Sequence, residues 1–227
     1  YIVRSVNSVL QQTLQEIEVI VINDGSTDKT LESLKVFTDP RLIIVNQKNG
    51  GVAKARNAGL LLARGEYIFQ LDGDDWLEKE AMEEMYKAAM IDHCDVLITD
   101  AYVDNDKGNL EYFAGITSSS GDYLQDLLLG KLSPNIWTRL YRRNLFIEND
   151  IYYNEKLSMG EDLLINFKIF YCSKKISRLP KAYVHYIQRN SSLTKVFSER
   201  MFQVYTLMDE IKKYFEEKKI YNKYLLE

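Results

Sequence analysis

Three carboxylates crowd into Asp72-Gly73-Asp74-Asp75, directly after the apolar run 67–71 and just before Trp76. Like charges that close resist joint ionisation, so a packed domain keeps such a group where a cation sits among them. The run before them reads as a short buried strand, which puts Asp72 and Asp74 where the chain leaves a sheet. In open α/β sheets that edge is where ligands bind. Oxygen-only ligands suit magnesium or manganese, and magnesium characteristically takes one or two carboxylates plus substrate phosphates. The chemistry indicated is a metal–diphosphate site. The competing reading is a solvated acidic turn, and Asp75 also fits as the N-cap of the next helix with Trp76 packed beneath it.

Other residues could join that chemistry. Asp24 ends the nearly all-apolar run 18–23 and opens the turn Gly25-Ser26-Thr27-Asp28. From the same sheet edge it could accept a hydrogen bond from a base N–H, or it could serve the turn itself; Asp28 reads as a helix cap. Arg56 and Asn57 follow Asn49-Gly50-Gly51, a turn whose glycines let backbone approach a ligand. Lys54 and Arg56 stand two apart and cannot share a helix face. Glu161 and Asp162 precede Leu163, Leu164, Phe167, Ile169 and Phe170. As first-turn acids they would complement the helix dipole; as a general base, one of them would take a proton from a hydroxyl. Neighbours on a chain diverge, so one of the pair faces substrate, and Asp162 is the choice. His185 reads as an interior histidine and His93 as a surface one.

The elements that must position these groups follow from periodicity. Residues 2–14 have apolar positions at helical spacing, 18–23 and 42–46 read as strands, and a helix runs over 52–63 to Gly65. Strand 67–71, a helix at about 79–91 and strand 95–99 continue a β-α-β alternation, which implies a parallel sheet covered by helices. Beyond it, 102–121 is polar and reads as a loop or hairpin. A short helix at 122–130, an aromatic and basic stretch 135–146, a helix from 160 to 172 and an alternating strand 183–188 come next. From 198 onward the chain is helical and highly charged.

Composition bounds the rest. The 227 residues are 46% apolar and 27% charged, as in ordinary globular proteins, and the net charge of −4 argues against a nucleic-acid partner. Two cysteines, Cys94 and Cys172, make neither a disulfide framework nor a zinc site. No run is long enough for a membrane span and no signal peptide is visible.

Taken in order, Ser8-Val9-Leu10-x-Gln12, 18–28, Asn49-Gly50-Gly51 with Ala55-Arg56-Asn57, 71–76 and Gly160-Glu161-Asp162 resemble glycosyltransferase family 2 over roughly residues 1–195. A lone D-x-D would be weak; the ordered set is specific. The resemblance implies an inverting, nucleotide-sugar-dependent enzyme of the GT-A fold, a Rossmann-like mostly parallel sheet flanked by helices. Its nucleotide-sugar-binding half would span 1–100, an irregular acceptor and catalytic half 101–195, and a C-terminal helical arm 196–227. It implies that Asp24 reads the uracil edge of a UDP-sugar, that Asp72 meets the ribose or a metal-bound water, and that Arg56 contacts the nucleotide. Asp74 would hold Mn²⁺ or Mg²⁺, and Asp162 would be the base. Trp137 and Arg139 resemble an aromatic-x-basic pair beside the acceptor, with Glu161 on the same side, and Arg189 with Ser191 and Ser192 resembles a segment that closes over the diphosphate. One feature departs from the pattern. Family members begin with an apolar strand ending in a Pro-x-Tyr-Asn type motif, absent here, so the chain reads as N-terminally truncated and lacking one wall of its pocket.

The expected partners are a nucleotide-sugar donor and a glycan or lipid-linked saccharide acceptor, in the cytoplasm or at the inner membrane face. Peripheral membrane association and homodimerisation stay open. A metal-dependent nucleotidyltransferase and a catalytically silent nucleotide-sugar-binding protein are the alternatives. A glycoside hydrolase also uses two carboxylates, but leaves the Gly-Gly turn and Asp24 unexplained.

Overall fold

The computed structural model describes residues 1–105, 110–116, 120–188 and 202–224. Helix α1 (Ile2–Leu10) leads to strand β1 (Val19–Asp24), a short α2 (Thr30–Leu34), β2 (Leu42–Gln47), α3 (Val52–Leu62) and β3 (Tyr67–Phe69). A two-residue strand β4 (Trp76–Leu77), α4 (Ala81–Asp92) and β5 (Val96–Asn105) complete the first half. The second half holds β6 (Leu110–Phe113), α5 (Tyr123–Leu128), β7 (Arg139–Arg142), α6 (Arg143–Glu148), α7 (Glu161–Cys172), β8 (Ile176–Gln188) and α8 (Gln203–Glu217), then a 3-10 turn at Tyr221–Lys223.

The α/β layering is as expected, but the strand pairing is mixed where a mostly parallel sheet was expected. β1 and β2 pair in parallel, from Val19 opposite Leu42 to Asp24 opposite Gln47. The other strands form a second sheet in the order β3-β7-β5-β8-β4, with β6 on β5. Within it β5 and β8 run parallel, while β3·β7, β5·β7, β4·β8 and β5·β6 are antiparallel. β3 and β5 do point the same way, as their crossover requires; β7 from the second half is inserted between them. Its short Arg-Leu-Tyr-Arg sequence suits that place because Leu140 and Tyr141 fill opposite faces of the sheet, each in a different core.

β5 alternates in the same way, sending Val96 and Ile98 into the core shared with α7 and α8, and Leu97 and Ala101 into the core under α4. β8 begins before the alternating stretch read from sequence because Pro180 masks its start. Pairing jumps from Thr99–Leu179 to Asp100–Ala182, so the proline lies in a bulge, where its missing N–H matters least. β5 runs across residue 100 and pairs with strands of the second half. The C-terminal stretch is a packed helix: Leu207, Ile211 and Phe215 are buried, and the Phe215 ring meets Phe167 edge-on at 5.7 Å. Cys94 is buried and Cys172 half-buried, and both are free thiols. Among the described residues no helix is long and apolar enough to cross a membrane.

One junction ties α8 to α7. Gly160 sits at the N-cap of α7 with φ of +81°, and a Cβ there would lie 2.4 Å from Leu207 Cδ2. Gly160→Ala should therefore reduce the free energy of unfolding in urea by about 2 kcal/mol, from backbone strain and overpacking together. The double variant Gly160→Ala/Leu207→Ala should lose less than the sum of the two single losses, because truncating the leucine relieves the clash.

Candidate active site

The acidic loop is held from behind by α1. Ser5, Ser8 and Gln12 lie on one face of the first helix and its exit. Ser5 Oγ reaches the Asp72 carbonyl at 3.4 Å, and Ser8 Oγ accepts from the Leu77 N–H at 3.1 Å. Gln12, almost fully buried, donates to the Glu78 carbonyl at 2.7 Å and accepts from the Met82 N–H at 2.8 Å. Arg4 donates to the Asp74 carbonyl at 3.1 Å and lies 5.8 Å from the Trp76 ring centre. The Ser8…Gln12 motif is thus a backbone clamp, and it leaves the Asp72 side chain 44% exposed.

Asp75 is not a helix cap. It is fully buried, is followed by β4 rather than a helix, and accepts the Ile187 N–H at 2.8 Å, fastening β8 to the loop. Trp76 stacks on His185 with ring centres 3.6 Å apart, and His185 Nε2 pairs with Glu78 Oε1 at 2.8 Å, an interior histidine as expected. Asp28 accepts the Thr30 N–H at 2.9 Å and so serves the start of α2 from one position before the cap.

Asp24 turns out to join two of the sequence motifs. Its Oδ1 accepts from Gln47 Nε2 at 2.7 Å and from the Gly50 N–H at 2.9 Å, and its Oδ2 accepts from the Gly51 N–H at 2.8 Å. Burial works against its charge, but these bonds and nearby Lys54 outweigh it and hold the carboxyl below the usual range. Lys54 thus serves the turn while Arg56 serves the site. The two turns touch closely: Gly25 has φ of +71°, and a Cβ on it would stand 2.7 Å from the Asn49 nitrogen. A carboxylate has about four acceptor positions, and these three bonds fill three of them on Asp24.

The centre of the site is Arg56. From α3 its Nη1 meets Asp162 Oδ1 at 2.6 Å and Glu161 Oε1 at 2.9 Å, while Nη2 leans toward Asp72 Oδ1 at 3.4 Å. Consecutive residues in the first turn of a helix are about 100° apart rather than opposed, so Glu161 and Asp162 both reach the one guanidinium, against the expectation that only one would face the site. Tyr153 lies beneath Arg56, its ring centre 5.5 Å from the guanidinium carbon, and donates its hydroxyl to Gln70 Oε1 at 2.9 Å. Asn57 fixes Tyr153 through two backbone bonds, donating to its carbonyl at 3.0 Å and accepting its N–H at 2.8 Å. Burial alone would lower the basicity of Arg56; Asp162, Tyr153, Asp72 and Glu161 overcome that and raise it. Burial pushes the Asp162 carboxyl up to about 7, with Glu161 and Asp72 adding to the rise and Arg56 and Arg139 opposing it. A carboxylate tuned near neutrality suits proton transfer at physiological pH.

The acceptor-side pair moves inward. Trp137 is buried, stacked on Tyr186 at 4.9 Å with Phe113 at 5.6 Å, because it fills the core under β5. Arg139 is fully buried; its Nη2 donates to the Ser133 carbonyl, and its guanidinium lies 5.6 Å from the Phe170 ring centre. Neither presents a surface to an acceptor here. Arg189, Ser191 and Ser192 lie outside the described residues. Arg4, Gln70 and Tyr153 were missed by sequence reasoning; only the helical spacing of Arg4 with Ser8 hinted at any of them.

Two cavities adjoin the loop and share Gly73. One, about 330 Å³, opens between β1 and β3 and is lined by Ile20, Ile22, Arg56, Ile68 and Asp72. The other, about 470 Å³, is lined by Asn23, Ser26, Lys29 and Asp74. Both volumes are in the range of small-molecule sites. Among the described residues no three His, Cys, Asp or Glu side chains converge as a metal cage. Asp72 and Asp74 are donors of the kind that magnesium or manganese takes one or two at a time, together with phosphates and water.

Residues 1–158 match the family model "Glycosyl transferase family 2". The chain is 33% identical over 219 residues to the poly(ribitol-phosphate) β-N-acetylglucosaminyltransferase TarS of Staphylococcus aureus, covering 92% of this chain and 37% of that protein. It is 30% identical over 218 residues to the glycosyltransferase GlyA of Streptococcus pneumoniae, covering 88% of this chain and 30% of that one. It thus spans well under half the length of either relative. The crystal structure of S. aureus TarS 1-349 in complex with UDP-GlcNAc superposes with a TM-score of 0.77 at 27% identity, over 93% of this chain and 63% of that one.

The raised Asp162 carboxyl has a consequence for stability. A folded-state pKa near 7, above the unfolded value, means that the folded protein holds this proton where the unfolded chain has lost it. That contribution is complete below about pH 4 and is lost as pH rises toward 7. Asp162→Asn should accordingly gain melting temperature relative to wild type between about pH 4 and pH 7, with a constant difference above. Differential scanning fluorimetry across that range measures it.

Proposed function

The chain belongs to glycosyl transferase family 2, and on that premise we propose an inverting transfer of a sugar from a UDP-linked donor to a hydroxyl of a glycan or lipid-linked acceptor. Family membership, and a fold shared with a UDP-GlcNAc complex, support nucleotide-sugar chemistry and set aside the nucleotidyltransferase and hydrolase alternatives. The observation that carries the proposal is the convergence of Asp72 from the acidic loop and Glu161 and Asp162 from α7 on one guanidinium. It brings a diphosphate-type site and a near-neutral carboxylate within one side chain of each other.

In this reading the nucleoside lies in the cavity lined by Asn23, Ser26 and Lys29, with Asp24 at its edge and Asp72 toward the ribose. Asp74 would hold Mn²⁺ or Mg²⁺, which when bound would stabilise the charge of the departing diphosphate. Asp162 takes the acceptor proton as the hydroxyl oxygen attacks the anomeric carbon and the diphosphate leaves from the opposite face. Glu161 keeps Arg56 charged and oriented. Trp137 supports the acceptor wall from inside the core rather than stacking on the sugar.

UDP-GlcNAc is the first donor to test, alongside other UDP-hexoses. Asp162→Asn should retain UDP binding while transfer falls by about a hundred- to ten-thousand-fold, followed by release of UDP in the presence of acceptor. Undiminished transfer by this variant would remove Asp162 as the base. Asp74→Asn should weaken UDP binding in the presence of Mn²⁺ and leave metal-free binding unchanged; equal loss in both conditions would move the metal ligand elsewhere.

A further inference from the structure

Arg56 is engaged in a way that conflicts with catalysis as drawn above. Its Nη1 lies 2.6 Å from Asp162 Oδ1, and a carboxylate held by a guanidinium is a poor proton acceptor. Yet the same side chain leans 3.4 Å toward Asp72 on the acidic loop. Resting on the donor reading, we propose that Arg56 is handed between two partners: without donor it clamps Glu161 and Asp162, and when a nucleoside diphosphate occupies the loop it moves to the phosphate oxygens and frees the base.

The graded distances give the direction of the hand-over. Asp162 and Glu161 hold Arg56 tightly, while Asp72, partly open to solvent, is a long and weak partner on the donor side. A diphosphate offers several charged oxygens in the geometry a guanidinium fork matches, so it competes well for Arg56 once bound beside Asp72. Tyr153 beneath the guanidinium gives it a flat surface to slide across rather than a fixed socket.

Losing Arg56 does not strand the base, because a second cation stays behind it. Arg139 is fully buried, and its Nε and Nη1 have no hydrogen-bond partner among the described residues. An unpaired buried charge is costly; Asp162 is the carboxylate that acts on this one. The charged and titratable groups facing Asp162 are Arg56 from α3, Asp72 from the acidic loop, Glu161 from α7, Arg139 and Tyr141 from β7, and Tyr153 from the segment before α7. Of these, Arg56 is the cation in reach of a donor, and Arg139 is fixed in the core. The arrangement makes donor occupancy a condition for a competent base.

A crystal structure of the UDP–Mn²⁺ complex should show the Arg56 guanidinium hydrogen-bonded to phosphate and more than about 4 Å from the Asp162 carboxylate, beyond ion-pair range. UDP bound with Arg56 still on Asp162 overturns the hand-over and leaves the transferase reading standing. Absence of UDP binding overturns the donor reading itself, and the hand-over with it.

Discussion

A single guanidinium with three carboxylates around it sets the terms for this molecule. Arg56 can sit 13% exposed only because Asp72, Glu161 and Asp162 surround it, and those carboxylates can crowd together only because Arg56 stands among them. Much of the fold serves that meeting. Asp24 ties the Gly-Gly turn and so sets where α3 begins; Asn57, one residue past Arg56, locks Tyr153 beneath it. Ser5, Ser8 and Gln12 clamp the acidic loop, and Gly160 lets α8 press against the first turn of α7. Each of these contacts links segments far apart in sequence, which is why the motifs are scattered while the site is local.

What could be read from the residues divides along the same line. Local chemistry was legible: the acidic loop at a strand end, the Gly-Gly turn opening α3 and the acidic pair opening α7 all lie where charge, periodicity and turn residues put them. Long-range pairing was not. β7 carries arginines at both ends, so nothing in its four residues announces a central strand; its place is set by β3 and β5, which it joins. Asp75 looked like a cap because the residues after it suit a helix, yet its partner is Ile187, more than a hundred positions away. Trp137 and Arg139 resemble the aromatic-x-basic pair that family members place beside the acceptor, and only packing shows both to be interior.

The comparison with relatives is informative in its extent. The family model stops at residue 158, just before Glu161 and Asp162, whereas the superposition on the UDP-GlcNAc complex covers 93% of the chain. The alignment with TarS covers 92% of the chain, so the segment that carries Glu161 and Asp162 is shared with that relative in sequence as well as in shape. α8 also lies beyond residue 158. Its burial against α7 makes it a component of the domain, with Leu207 at the N-terminus of the helix that carries Asp162.

The most direct test of the account is whether the loop and the cavity beside it hold a uridine diphosphate through a metal. Calorimetry with UDP, GDP and ADP, each with and without Mn²⁺, addresses it. The account predicts binding of UDP that is strong with Mn²⁺ and weak without it, and weaker binding of the two purine nucleotides. Failure of all three to bind, or UDP affinity indifferent to Mn²⁺, would contradict it.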